Sequence, residues 1–290
     1  MVLIQAENLF TPSSDVHSIS KSTTVSTFHV IKSSIRLNLT IWKRYKANLI
    51  GGLFETAIFA GMFLLFATAA TFRNFNLDDR GMMIFFQSAL VLFIFNSVAL
   101  WSPINAVTRD LNNGTLEFIY SNPSSRYGYF VGIIISEAIV KMMYFIPMYL
   151  FLLSLTHLSG LDILYSLLVI LIVIISLSAF GILIALAAIL WKQTSSISQL
   201  IGTLFQFLSG TFFPITVFPV GLQFMAYFFP FTFGYDLLRY YSFNGNWETI
   251  FPVYVEWILL FIYSIIYTLI AKRLLRKVES YAKVKGLHLL

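Results

Sequence analysis

The residues that could do chemistry in this chain are few and do not converge. There is no cysteine, which rules out disulfides, thiolate catalysis and cysteine-ligated zinc. His17, His29, His157 and His288 stand alone, and no H-E-x-x-H or comparable spacing occurs, so no metal site is expected. No Gly precedes a Lys, so there is no G-x-x-x-x-G-K-[ST] phosphate loop and ATP hydrolysis by that route is excluded. Neither G-x-S-x-G nor a Gly-rich dinucleotide fingerprint occurs. No catalytic residue is expected, and the chain reads as something other than an enzyme.

What remains is a set of polar residues stranded in apolar runs. Glu137 and Lys141 are one helical turn apart with the acid first, the favourable order for an i,i+4 pair, and an ion pair between them is expected. Gln199, Thr203, Gln206 and Gly210 recur at steps of four, three and four, making one small and polar stripe. In lipid such a stripe must face protein or water, either as packing or as the lining of a path. Glu55 and Glu256 each lie about two turns into an apolar run, and with Glu137 they supply the material for a proton relay.

The elements that hold these residues are membrane elements. Of 290 residues, 58% are apolar and only 11% charged, against about 25% charged in soluble domains. A bilayer core needs about 20 apolar residues per helix. Six segments qualify: 48–71, 82–106, 129–155, 163–190, 196–214 and 250–271. The fifth is the least regular, because Gly202, Gly210 and Pro214 interrupt it. In that topology fifteen Lys and Arg fall on the side of the two termini and three on the other, which places both ends in the cytoplasm. The positive charge flanks apolar segments, so the net charge of +6 calls for a membrane surface and not for nucleic acid.

Residues 1–27 read as a flexible cytoplasmic tail, and 272–290 as a basic one. Over 28–46, Phe28, Ile31, Ile35, Leu39, Trp42 and Tyr45 recur at steps of three and four. His29, Lys32, Ser33, Arg36, Thr40 and Lys43 take the opposite face. That is an amphipathic helix expected to lie in the cytoplasmic interface. Segment 215–249 is too apolar for an aqueous loop, and short re-entrant helices on the outer side are expected there. The fold class is therefore an all-α membrane domain over 47–271, with six spans, an interfacial helix and re-entrant helices before the last span.

Two stretches carry a family resemblance. RDLNNGTLEFIYSNPSSRYGYFVG, between the second and third spans, is similar to the cytoplasmic signature of ABC type-2 exporter permeases. The matching residues are Arg109, Asp110, Gly114, Thr115, Leu116, Glu117, Pro123, Ser125 and Arg126. LSGTFFPITVFPVGLQFMAYFFPFTFGYDLLRYYSF resembles the family's Phe-Pro and Pro-x-Thr-x-x-x-Asp-x-x-Arg region, through Phe213, Pro214, Pro230, Thr232, Asp236 and Arg239. Phe229 stands where the family often has Asn, and Ile133 follows Gly132 where it often has Lys.

The resemblance implies a permease subunit in the cell membrane that works as a homodimer or heterodimer with cytosolic ATPase subunits. Those subunits, and not this chain, would bind ATP and Mg. The stretch from Gly114 to Tyr120, with Ile119 on its apolar face and Glu117 in its first turn, would be a short helix that docks into the ATPase. The second and fifth spans would line the path, making Gln87, Asn96, Gln199, Thr203 and Gln206 lining candidates. The expected cargo is an amphiphilic or hydrophobic drug or lipid, with a lipid-linked polysaccharide as alternative. An ion-coupled secondary transporter using the intramembrane acids is a reading of another class, and a non-transporting scaffold a third.

Overall fold

Helix boundaries follow from local capping chemistry. In the computed structural model, residues 26–69, 77–115, 125–191 and 196–285 are described, without the side chains of 69, 96, 97, 111, 187–191, 196–199, 201 and 279–285. Residues 1–25, and with them the expected tail, lie outside the described residues, as do 286–290. The described elements are helical: α1 (Thr27–Arg44), α2 (Lys46–Ala69), α3 (Asp79–Asn112), α4 (Arg126–Leu155), α5 (Gly160–Trp191) and α6 (Ser196–Leu208). A 3-10 turn (Ile215–Val217), α7 (Val220–Tyr227), α8 (Pro230–Ser242) and α9 (Val253–Lys285) follow. Asp78 caps α3 by accepting from the Gly81 N–H at 2.8 Å. Ser159 and Asp162 form a reciprocal box at the start of α5, and Ser125 Oγ accepts from Gly128 N at 3.2 Å to start α4.

Among the described residues five helices, α2, α3, α4, α5 and α9, are long and apolar enough to cross a membrane. α3 is the central one: 88% of its most apolar window is buried, against 11% in α2 and 17% in α9. It packs on α2, α4, α5 and α8. Gly181 and Ala185 of α5 are buried on one face of that helix. A Cβ on Gly181 would lie 2.5 Å from the Ala99 carbonyl oxygen. Pro103, four residues on, has no N–H to offer that carbonyl, so the freed oxygen sits against the glycine. An aromatic column of Phe180, Phe205, Phe229 and Phe231 then ties α5 and α6 to α8, with the first two steps at 4.3 and 4.2 Å between centroids. Phe229 is thus a packing residue here.

α6 differs from the expected fifth span. It has thirteen residues, about 20 Å of helix against a hydrocarbon core of about 30 Å, and ends in a turn through Gly210 at φ +80°. α9 differs in the other direction. It continues past residue 271 to Lys285, so Lys272, Arg273, Arg276 and Lys277 belong to a helix that also buries Leu275 and Val278.

α1 forms where its periodicity places it, and its basic face is exposed as expected. Its contact face is another matter. Val30, Ser34 and Asn38 are its buried residues, while Phe28 is 69% exposed. The partner is a line of small residues on α4. A Cβ on Gly132 would meet Ser34 Cβ at 2.5 Å, and one on Gly128 would meet the Thr27 carbonyl at 3.1 Å. Ser136, one turn further, is fully buried. This is a small-x-x-x-small crossing, in which two backbones approach because no side chain separates them. The expected purely interfacial helix is therefore anchored to protein. Gly132→Leu should force the helices apart and lower the thermal midpoint in detergent by an amount equivalent to about 1–3 kcal/mol. Ser34→Gly in a Gly132→Ala background should recover part of the smaller loss; no recovery would disprove the crossing.

Candidate functional site

Two groups of polar residues sit at opposite ends of the bundle, and a small cavity lies between them. The first joins α3 to α4. α3 closes with a Schellman-type cap: Gly114 takes φ +68°, and the Thr115 N–H donates to the Asp110 carbonyl at 2.9 Å. The Asp110 side chain is buried and receives the Tyr129 hydroxyl from α4. Its ion pair with Arg109, at 3.4 Å between neighbours, is weaker in geometry, and the Arg109 side chain is 44% exposed. Arg126 is buried at the first position of α4. The returning chain is thus pinned on both sides. Leu116, Glu117, Ile119 and Tyr120, between the two pins, lie outside the described residues.

The expected ion pair of Glu137 and Lys141 does not form. Trp42 Nε1 reaches across from α1 and donates to Glu137 Oε1 at 2.9 Å. Lys141 Nζ lies 5.2 Å from the centre of the Tyr144 ring instead. The Tyr144 hydroxyl donates to the Leu49 carbonyl of α2 at 3.0 Å, passing close to Gly52. Three helices meet at this corner through side chains whose pairing no local spacing reveals.

The second group is the Pro-x-Thr-x-x-x-Asp-x-x-Arg run, which coincides with α8. Pro230 is its first residue, where a missing N–H costs nothing. Thr232 Oγ1 donates to the Ala226 carbonyl at 2.7 Å, fixing α8 on α7. Asp236 accepts from Trp247 Nε1 at 2.6 Å and from the Ile250 N–H at 2.7 Å, fixing the loop before α9. Arg239 Nη2 donates to the carbonyls of Gly210 and Thr211 at 2.8 and 3.2 Å, and its guanidinium lies 3.8 Å over the Phe85 ring. The guanidinium is buried, with Asp236 one turn earlier on the same helix. Glu256 is fully buried nearby, with Oε1 on the Phe251 N–H at 3.0 Å. Phe213 and Pro214 lead out of the same turn, Pro214 capping the 3-10 helix.

The cavity, of about 200 Å³, is lined by Glu55, Thr56 and Phe59 of α2, Phe93 and Trp101 of α3, Lys141 of α4 and Gln206 of α6. Of the lining candidates, Gln206 faces it. Gln87 does not: it is buried between α3 and α4 with Nε2 on the Met148 carbonyl at 2.8 Å. Thr203 is exposed on α6, and the side chains of Asn96 and Gln199 lie outside the described residues. Glu55, Thr56 and Lys141 are the polar groups that spacing alone did not assign to this place.

The family model of the ABC-2 type transporter matches residues 26–243. The chain belongs to that family. No curated protein matches it. As an ABC-2 permease it is a multi-pass membrane protein and a transport subunit, not a catalyst. In this permease the Pro-x-Thr-x-x-x-Asp-x-x-Arg run reads as a set of staples, and the Arg-acid pair as an anchor between α3 and α4. Sequence reasoning missed Tyr129 and Trp42 as partners; the Gly128-x-x-x-Gly132-x-x-x-Ser136 line was the one available sign that α1 would dock there.

Arg239→Lys should be poorly tolerated, since a single ammonium cannot hold two carbonyls and cover Phe85. Loss of these charge-assisted bonds predicts a fall in thermal stability equivalent to about 3 kcal/mol, read as folded yield and melting in detergent. Tyr129→Phe should leave the buried Asp110 carboxylate short of a partner and cost about 1–3 kcal/mol, with Asp110→Asn softening the loss in the double variant.

Proposed function

We propose that this ABC-2 permease is the membrane subunit of an ATP-driven exporter that moves an amphiphilic or hydrophobic molecule, a drug or a lipid, out of the cytoplasm. The observation that carries the reading is the pinned return between α3 and α4. Asp110 on Tyr129 and the Ser125 cap hold both ends of a short segment at the end of the central helix. A chain with no phosphate loop of its own needs a place to be pushed, and a push at this return would pass through its two anchored ends into α3 and α4 as bodies. ABC-2 permeases generally pair with ATP-binding subunits. Those subunits would carry ATP and Mg, and Gly114–Tyr120 would be their docking helix.

The rest of the reading follows. α6 with the turn after it makes the fifth of six crossings, and α7 and α8 are the re-entrant helices of the outer side. Irregular backbone at membrane depth is tolerated only where its polar groups are satisfied by protein, and the Arg239 bonds to Gly210 and Thr211 supply that. Both termini are then cytoplasmic, in the plasma membrane, with a second permease copy completing a path past Gln206. Lipid-linked polysaccharide is the alternative cargo. The cavity shared by Glu55 and Lys141 supports a second reading, an ion-coupled transporter.

Co-purification with candidate cytosolic ATPases, followed by reconstitution, separates these. Leu116→Asp with Glu117→Arg should leave a stably folded permease that no longer retains the ATPase or transports. Unchanged assembly and transport would sink the docking claim. Uptake driven by a proton gradient without ATP, and lost in Glu55→Gln, would establish the ion-coupled reading instead.

A further inference from the structure

A second, larger cavity lies at the end of the bundle that carries α8, away from the stripe and the docking segment. It has a volume of about 790 Å³, is widely open to the surface, and lies between the first turns of α5 and α9 and the last turn of α8. Tyr165, Tyr240, Tyr241, Tyr254 and Trp257 supply its aromatic lining, with Asn244 and Gly245 beside them. Tyr165 stacks on Tyr241 with centroids 5.3 Å apart, and Trp257 meets Tyr165 edge-on at 6.4 Å. Tyr254, 69% exposed, stands on the open side. Asp162 is the one charged residue of the lining. Deeper along the same helices the wall turns purely apolar, at Leu168 on α5 and Phe261 on α9.

We infer that this cup binds a cationic amphiphile: an ammonium headgroup held by Tyr165, Tyr241, Tyr254 and Trp257 with Asp162 at the rim, and an alkyl chain along Leu168 and Phe261. Ring faces attract cations through the quadrupole of the π-system, and quaternary ammonium groups are recognised by aromatic cages of this composition. Part of the polar edge of the lining is already engaged. Trp257 Nε1 is spent on the Tyr241 hydroxyl at 2.9 Å, and Asp162 Oδ2 on Ser159 Oγ at 2.7 Å. A phosphate or sulfate would meet a carboxylate and no base. The α5 dipole, which favours an anion, is answered by Asp162 in its first turn. The order of polar to apolar along α5 runs Asp162, Tyr165, Leu168, one residue per turn, and matches a head-to-tail axis.

Its role as a substrate site rests on the exporter reading; binding itself does not, and is measured without any ATPase. The full-length permease is placed in nanodiscs of phosphatidylglycerol, which carry no choline. A photoreactive dodecyltrimethylammonium, with the diazirine beside the headgroup, is crosslinked and its adducts mapped by mass spectrometry. Saturable labelling of peptides containing Tyr165 and Trp257 is expected, displaced by plain dodecyltrimethylammonium and not by dodecyl sulfate or dodecyl maltoside. Asp162→Asn, which keeps an acceptor for Ser159, should weaken displacement about tenfold, Trp257→Leu by a similar factor, and Tyr165→Phe hardly at all. Thermal melting checks each fold; should Trp257→Leu misfold, Asp162→Asn and the three competitors still decide the matter. Equal displacement by the maltoside, or an Asp162→Asn variant that binds as the wild type does, overturns the proposal.

Discussion

Backbone that leaves a helix inside an apolar surrounding must have its carbonyls answered by protein, and in this permease one guanidinium does so. α6 stops after thirteen residues, and the chain turns at Gly210 with a left-handed φ that a side chain would strain. The carbonyls of Gly210 and Thr211 would be orphans there. Arg239, itself almost wholly buried, gives Nη2 to both and spreads its charge over the Phe85 ring of α3. Desolvating a guanidinium is costly, and these hydrogen bonds and the ring face offset that cost. The rest of the α8 end is built round the same helix. Asp236, one turn earlier, holds Trp247 and Ile250, and Trp247 packs on Phe85 and Phe243.

The opposite end is organised by absence of side chain. Gly128, Gly132 and Ser136 let α1 lie directly on α4, and dispersion over a close backbone contact replaces polar stapling. Trp42 uses that approach to reach Glu137, which explains why the acid does not need Lys141. Lys141 is left for the Tyr144 ring and the cavity it shares with Glu55. A pairing that looks natural on one helix thus loses to a partner on a second.

α3 connects the two ends. It is 34 residues long, about 50 Å of helix, with Phe85 under Arg239 near one end and Asp110 against Tyr129 near the other. Pro103 interrupts its ladder, and the freed Ala99 carbonyl rests on Gly181 of α5. A rigid body spanning both groups, buried along most of its length, is what a transmitted motion in the proposed cycle requires.

Hydropathy alone determined the membrane class and, among six expected segments, the five that form long helices in the described residues, because a lipid-spanning helix writes about 20 apolar residues into any sequence that encodes it. The two motifs placed the chain in its family, since Gly114 and Pro230 mark backbone conformations that few residues tolerate. Periodicity also put the basic face of α1 in the open. Only the tertiary structure decided what the polar residues hold. Glu137 went to Trp42, Gln87 to the Met148 carbonyl, and Asp110 to Tyr129, across 95, 61 and 19 residues of chain. Spacing along one helix reports which side chains share a face. It carries no record of which helix will lie against that face, and a buried hydrogen bond is settled by that neighbour.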